Sequence, residues 1–217
     1  MLIVIEGLDG SGKGTQTQLL AKTLAQKGAD VKQISFPDYS SPASGAVKQY
    51  LAGEFGTQPG DVNAYAASAF YAVDRAASFL KNWKPDYECG KVILCDRYAT
   101  SNIIYQMTKL PRQQWGEFVK WTEDFEYVKL ALPRPDVVIY LDVPTQVSQE
   151  LLRQRYNGDN DKKDIHERNL SFLEECRQAA LFAAQKCGWQ VIDCCADGNL
   201  ATVEQVHKRI EEILSDR

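Results

Sequence analysis

The sequence predicts an α/β fold, a doubly wound five-stranded parallel sheet flanked by helices. Three observations carry that expectation. Short apolar runs rich in Val and Ile recur along the 217 residues, at 2–5, 31–36, 92–95, 137–143 and 191–192, and such runs suit strands buried on both faces. Amphipathic stretches of helical length separate them, and alternating strands and helices wind into a parallel sheet. A glycine-rich turn joins the first run to the first of those stretches.

In chain order, 15–27 carries Leu19, Leu20 and Leu24 and stops at Gly28, a plausible C-cap. Residues 61–83 are rich in Ala and aromatics, and 112–128 carry Trp115, Phe118, Trp121 and Phe125. Residues 165–186 run to Cys187-Gly188, and 201–214 form the last helical stretch. The run 31–36 is more polar than the other strands. Residues 157–164 are conspicuously polar and read as an exposed loop between two helices.

Bulk properties narrow the function classes. Apolar residues make up 44% and charged residues 25% of the chain, enough for a buried core in one domain spanning 1–217. Net charge is -4, with no gathering of Lys and Arg, which argues against a nucleic-acid partner. The six Cys form no C-x-x-C pair, so reduced thiols are expected rather than structural zinc. The N-terminal apolar run is short and has no basic segment before it. Neither a leader nor a membrane span is expected, and the reading is cytoplasmic.

Gly7-Leu8-Asp9-Gly10-Ser11-Gly12-Lys13-Gly14-Thr15 follows a strand and opens a helix, the context of a P-loop. Gly7, Gly10, Ser11, Gly12, Lys13, Gly14 and Thr15 are the expected ATP-binding residues. The curled backbone aims N–H groups at phosphates, the helix N-terminus favours anions, and Lys13 reaches the β- and γ-phosphates. The hydroxyl stands at Thr15, one place later than in the general pattern. One residue turns a helix by about 100°, so Thr15 meets Mg²⁺ directly or through water.

The third strand ends in Cys95-Asp96-Arg97-Tyr98. Ligands of open α/β sheets bind beyond the carboxyl ends of the strands. Asp96 is therefore a candidate for Mg²⁺ and Arg97 for a phosphate; a surface ion pair is the plainer alternative.

The segment Asp96-Arg97-Tyr98-Ala99-Thr100-Ser101-Asn102-Ile103-Ile104-Tyr105-Gln106 resembles the DRYxxSxxAYQ segment of thymidylate kinases. Ile5-Glu6-Gly7-Leu8-Asp9-Gly10, Phe36-Pro37, Tyr71-Ala72-Val73-Asp74-Arg75 and the strand after Pro135-Asp136 are similar to that family too. The resemblance implies transfer of a phosphoryl group from ATP to dTMP. It implies that Asp9 takes the sugar 3′-hydroxyl and helps hold Mg²⁺, Phe36 lines the pocket and Tyr71 stacks on the thymine ring. Arg75 then bonds a base carbonyl, Arg97 binds the acceptor phosphate and Tyr105 crowds the sugar 2′ position. Tyr39 and Asn102 complete the implied acceptor site. Read by residue type alone, Tyr71 fits core packing as well as stacking, and Arg75 fits an ion pair with Asp74 or with a neighbouring helix.

Two departures stand out. Asp38-Tyr39 follows Pro37 where eukaryotic members carry a phosphate-binding Arg, leaving Arg97 or Lys48 to compensate. Gly10 stands where some members have an Arg. The catalytic positive charge is then expected from Arg153 and Arg155, at the start of a lid at about 153–165. A solvated charged face is the alternative. Asp164 with Glu167 resembles a helix-capping pair, and His166 reads as structural.

Three other functions compete. One is a kinase for other pyrimidine monophosphates, the base preference among dTMP, dUMP and the rest being left open. A deoxynucleoside kinase needs a general base, for which Asp38 is available. An NTP-hydrolysing switch is the remaining reading, without an N-K-x-D run to read guanine. Members of the family are commonly homodimers. The aromatic faces at 66–79 and 115–125 fit a partner or the core equally well.

Overall fold

The computed structural model describes residues 1–155, 164–167, 169–195 and 199–215. Five strands form one sheet: β1 (Leu2–Gly7), β2 (Val31–Ser35), β3 (Val92–Asp96), β4 (Val137–Asp142) and β5 (Gln190–Asp193). Their order is β2-β3-β1-β4-β5 and every pairing is parallel. The three inner strands are mostly buried, whereas β2 and β5 are edges. Edge position explains why the 31–36 run is the more polar.

Side chains alternate between two cores, as a period of two requires. Leu2, Val4, Ile93, Cys95, Val138 and Tyr140 pack on one face. Ile3, Ile5, Leu94, Ile139, Leu141 and Ile192 pack on the other. The first core is closed by α3 (Ala64–Ser78), α5 (Ala99–Gln106), α6 (Trp115–Glu123) and α8 (Leu170–Cys187). The second is closed by α1 (Lys13–Gln26) and α9 (Val203–Ser215).

Several helices differ from the sequence expectation. The 61–83 stretch becomes α3 and a π-helical turn at Phe79–Trp83, and the helical run continues past it into a short α4 (Lys84–Glu88). The 112–128 stretch likewise ends in a π-helical segment, Asp124–Lys129. The helix expected from 165 begins at Leu170, because the Asn169 side chain accepts from the Phe172 N–H and caps it there. Residues 164–167 instead form a turn closed by the Asp164–Glu167 capping pair. Two helices had no clear sequence signal: α2 (Gly45–Leu51), which is short, and α5, whose residues read as a site motif. The helix before the polar loop is α7 (Thr145–Arg155). All six Cys are free.

Candidate active site

The P-loop bridges β1 and α1. Gly12 caps α1 with a left-handed backbone (φ 84°), and no side chain caps the first turn. No acidic residue lies in that turn either, so its N–H groups stay available to an anion. Lys13 is 7% exposed and donates to the Leu8 carbonyl at 2.8 Å. Burial and the nearby Arg97 pull its pKa down to about 8, against the opposing pull of Asp9 and Asp96. Gly10 has φ +83°, and a Cβ there would stand 2.4 Å from the Ser148 carbonyl oxygen. An Arg at this position would collide with α7 as it packs here; Gly10 lets the arginine-bearing helix lie against the loop.

The register of β1 with β3 pairs Ile5 with Asp96, so the Asp96-Arg97 turn emerges beside the P-loop. Arg97 donates its backbone N–H to Ile5 O at 3.1 Å. Its φ is +66°, the left-handed region where a non-Gly residue is strained. Glu6 holds this turn: fully buried, it accepts from Tyr98 N–H at 3.1 Å, Thr100 Oγ1 at 2.6 Å and Ser101 Oγ at 2.9 Å. Burial raises the Glu6 pKa, with Arg97 opposing. The strained turn aims the Arg97 guanidinium back over the loop. It donates to Gly7 O at 3.3 Å, pairs with Asp9 Oδ1 and lies 5.1 Å from the Tyr105 ring centre. Asp9 Oδ2 accepts from Tyr105 Oη at 3.0 Å. Burial opposes ionisation of Asp9, but Arg97 and Lys13 overcome it and hold the carboxyl well below the usual carboxylate range.

Beyond Arg97 lies a pocket lined by Asp9, Phe36, Tyr39, Tyr71, Arg75, Arg97, Asn102 and Tyr105, with Gln106, Asp164 and His166 among its other walls. The acceptor-site residues implied by the resemblance therefore share one cavity. Tyr71 is part-buried, with its ring edge-on to Tyr50 at 6.3 Å. Arg75 is buried and makes a two-pronged ion pair with Glu126, not with Asp74. Tyr39 is exposed at the rim. Lys48 is exposed on α2, outside the pocket wall.

His166, which the sequence marks as structural, is buried, its Nε2 paired with Tyr50 Oη at 2.8 Å. It also lines the pocket and stacks on Tyr105 at 5.5 Å. Burial and Lys109 push its pKa down to about 3. Asp164 shares the wall, and burial together with Asp9 raises its pKa to about 7.

Not every expected residue converges. Arg153 is 65% exposed and bound two-pronged to Glu150 on its own helix, at 2.8 and 2.9 Å. The Arg155 side chain and most of the expected lid, 156–163, lie outside the described residues. Thr15 is exposed on the first turn of α1. The Asp96 carboxylate lies beside that turn, 3.4 Å from where a Cβ on Gly14 would be.

Two features escaped sequence reading. An apolar cleft beside the P-loop is lined by Leu151, Leu200, Ala201, Val203 and Val206, with Gly12 and Thr15 at its edge. Gln16 anchors it by donating to Val203 O at 2.8 Å. Glu126 gave no sequence signal, because an acid close behind Glu123 and Asp124 reads as part of the solvated side of a helix; here it is fully buried.

Comparison with known proteins agrees with this architecture. The thymidylate kinase family model matches residues 5–210. A thymidylate kinase of Mycobacterium tuberculosis is 32% identical over 211 residues, spanning 93% of this chain and 95% of that protein. A probable thymidylate kinase of Thermococcus onnurineus is 32% identical over 215 residues, spanning 97% and 95%. The solved structure of a thymidylate kinase from Candida albicans superposes with a TM-score of 0.73 at 25% identity, covering 99% of this chain and 91% of that one. With its P-loop, its five parallel strands and these relatives, the chain belongs to the thymidylate kinase family.

Proposed function

We propose that this chain is a dTMP kinase. It transfers the γ-phosphoryl group of ATP to the 5′-phosphate of dTMP, giving ADP and dTDP. The observation that carries this reading is the Asp9–Arg97 pair, which joins the P-loop to the aromatic pocket. A phosphate held by Arg97 is directed at a γ-phosphate held by Lys13 and the first turn of α1. An oxygen of the acceptor phosphate attacks the γ-phosphorus while the bond to the β–γ bridging oxygen breaks. That acceptor is already anionic, so no base is needed, and catalysis rests on positioning and charge.

The remaining residues take matching roles. Tyr71 stacks on the base, Phe36 and Tyr39 frame it, and Asp9 and Tyr105 face the sugar. The apolar cleft at Leu200 and Val203 suits the donor base. Arg153, released from Glu150, and Arg155 supply positive charge to the transferred group. Thr15 and Asp96 offer the oxygen donors that Mg²⁺ takes, directly or through water. When bound with ATP, that ion neutralises phosphate charge. Asp38 accepts from the N–H and Oγ of Ser40 and lies outside the pocket wall; this disfavours the deoxynucleoside-kinase alternative.

We read 1–217 as one cytoplasmic domain with its lid at about 153–165. No helix of the described residues is long and apolar enough to cross a membrane. We read the assembly as a homodimer, since Tyr65, Val73 and Leu80 are exposed at near-helical spacing along α3 and the turn after it. Light scattering on the eluted protein tests the dimer.

The function is tested by ADP release with MgATP and a panel of acceptors. Activity with dTMP and none with thymidine is expected. Activity with thymidine alone would move the reading to a deoxynucleoside kinase. ATP hydrolysis that no acceptor stimulates would sink both.

A further inference from the structure

Behind the pocket wall, Glu126 ties together two residues that line the pocket. Its carboxylate is 0% exposed. Oε2 accepts from Arg75 Nε at 2.9 Å, and Oε1 accepts from Arg75 Nη2. Oε1 also accepts from Asn102 Nδ2 at 2.8 Å, and the same nitrogen donates to the Ser68 carbonyl at 3.1 Å. Both partners of that nitrogen are acceptors only. The amide of Asn102 therefore has one allowed orientation, with nitrogen toward Glu126 and Ser68, and with both its N–H groups used. What Asn102 has left to offer a ligand is Oδ1, an acceptor. Arg75 gives one N–H each from Nε and Nη2 to Glu126 and makes no other hydrogen bond to a described residue, so what it has left, at Nη1 and Nη2, is donors only.

We propose that Glu126 is the positioning residue that fixes the hydrogen-bond polarity of the base pocket, and with it the choice of a 4-oxo over a 4-amino pyrimidine. This rests on the proposed function. A donor beside an acceptor matches the edge of thymine or uracil, whose O4 accepts and whose N3–H donates. Cytosine carries the reverse pattern, an amino donor at C4 and an acceptor at N3. It would leave a donor facing Arg75 and an acceptor facing Oδ1. Unpaired groups in a closed site cost far more than a missing contact. Glu126 touches no substrate; it acts through Arg75 and Asn102.

The test compares dUMP with dCMP, which differ only along that edge, in wild type and in Glu126→Gln. A glutamine offers one acceptor and one donor in place of two acceptors, so with its oxygen at the Oε1 position its amide nitrogen faces Arg75 Nε, and the three contacts cannot all be kept. The ratio of kcat/KM for dUMP to that for dCMP is expected to fall at least about tenfold, the discrimination carried by one hydrogen bond. Glu126→Asp keeps two acceptors and is expected to keep the preference for dUMP at reduced activity. In the wild type, N3-methyl-dTMP is expected to lose at least about tenfold in kcat/KM against dTMP, since it has no N3–H to give Oδ1.

A merely structural role would lower dUMP and dCMP activity alike. An unchanged ratio in Glu126→Gln therefore overturns the inference and leaves the proposed function standing. So does N3-methyl-dTMP turning over as well as dTMP, which also decides the matter if Glu126→Gln does not fold. A wild type that phosphorylates no pyrimidine monophosphate overturns the proposed function and this inference with it.

Discussion

Arg97 is the residue at which backbone strain and charge meet, and two substitutions separate them. Arg97→Ala and Arg97→Gly both remove the guanidinium, with its Asp9 pair, its bond to Gly7 O and its place over the Tyr105 ring. A hydrogen bond to a charged group contributes about 1.5–3 kcal/mol, and a cation over an aromatic face about 0.5–1 kcal/mol. Relief of the buried charge offsets part of this, so each variant should lose about 1–3 kcal/mol of stability. The variants differ in backbone. At φ +66° a Cβ costs about 1–2 kcal/mol, while the freer unfolded chain of Gly returns about 0.4–1 kcal/mol. The Gly variant should therefore be the more stable by about 0.5–1 kcal/mol, a melting difference of about 1–4 °C at this length. Calorimetry or urea titration reads it. An Ala variant melting with or above the Gly variant refutes the strain argument.

The pH dependence has a definite sign. The folded pKa of Asp9 is held below its unfolded value near 3.8, against burial, by Arg97 and Lys13. That stabilisation is present above the unfolded pKa and is lost as pH falls through the folded one. The stability gap between wild type and either variant should therefore be widest at neutral pH and narrow in acid. In the same proteins, kcat/KM for dTMP should fall by about 10²–10³, the usual effect of removing one preorganised positive or donor group. Unchanged kcat/KM would remove Arg97 from the acceptor site.

Three further outcomes are expected. Gly10→Ala should destabilise by more than about 2 kcal/mol, because its Cβ would meet the Ser148 carbonyl oxygen at 2.4 Å; Gly12→Ala, with open space around it, should lose only about 1 kcal/mol of backbone strain. Equal thermal midpoints would contradict this. Asp164→Asn keeps the acceptor oxygen that holds the His166 and Glu167 N–H groups. Burial and Asp9 raise the Asp164 pKa from 3.8 to about 7, so folding favours its protonated form. That contribution is full below the unfolded pKa and is lost as pH rises through about 7. The variant should match wild type near pH 4 and exceed it by about 1–3 kcal/mol near pH 8; the same difference at both pH values would reject the burial argument. Arg153→Ala should lower kcat by about 10²–10³ with little change in KM for ATP, since the arginine is expected to act on the transferred group; steady-state kinetics with unaltered kcat would assign it to the solvated face of α7.

The sequence by itself determined the sheet, the loop between β1 and α1 and the turn at the end of β3. These are local matters. A Val/Ile run has the period and burial of a strand wherever it lies. A P-loop is a contiguous stretch whose glycines act through their backbone and whose lysine side chain folds back over the same loop. The Asp96-Arg97 turn was legible because the end of a parallel strand has one place to go. The tertiary structure decided what depends on residues far apart in the chain. It pairs Asp9 with Arg97, 88 positions away, and Arg75 with Glu126, 51 positions away. Glu126 shows why the sequence is silent here. A carboxylate reads as solvent-facing until the fold brings it a guanidinium and an amide, and only those partners make its burial tolerable. The hydrogen-bond polarity of the pocket, unlike the loop between β1 and α1, belongs to the packing of three helical segments and not to any one stretch of chain.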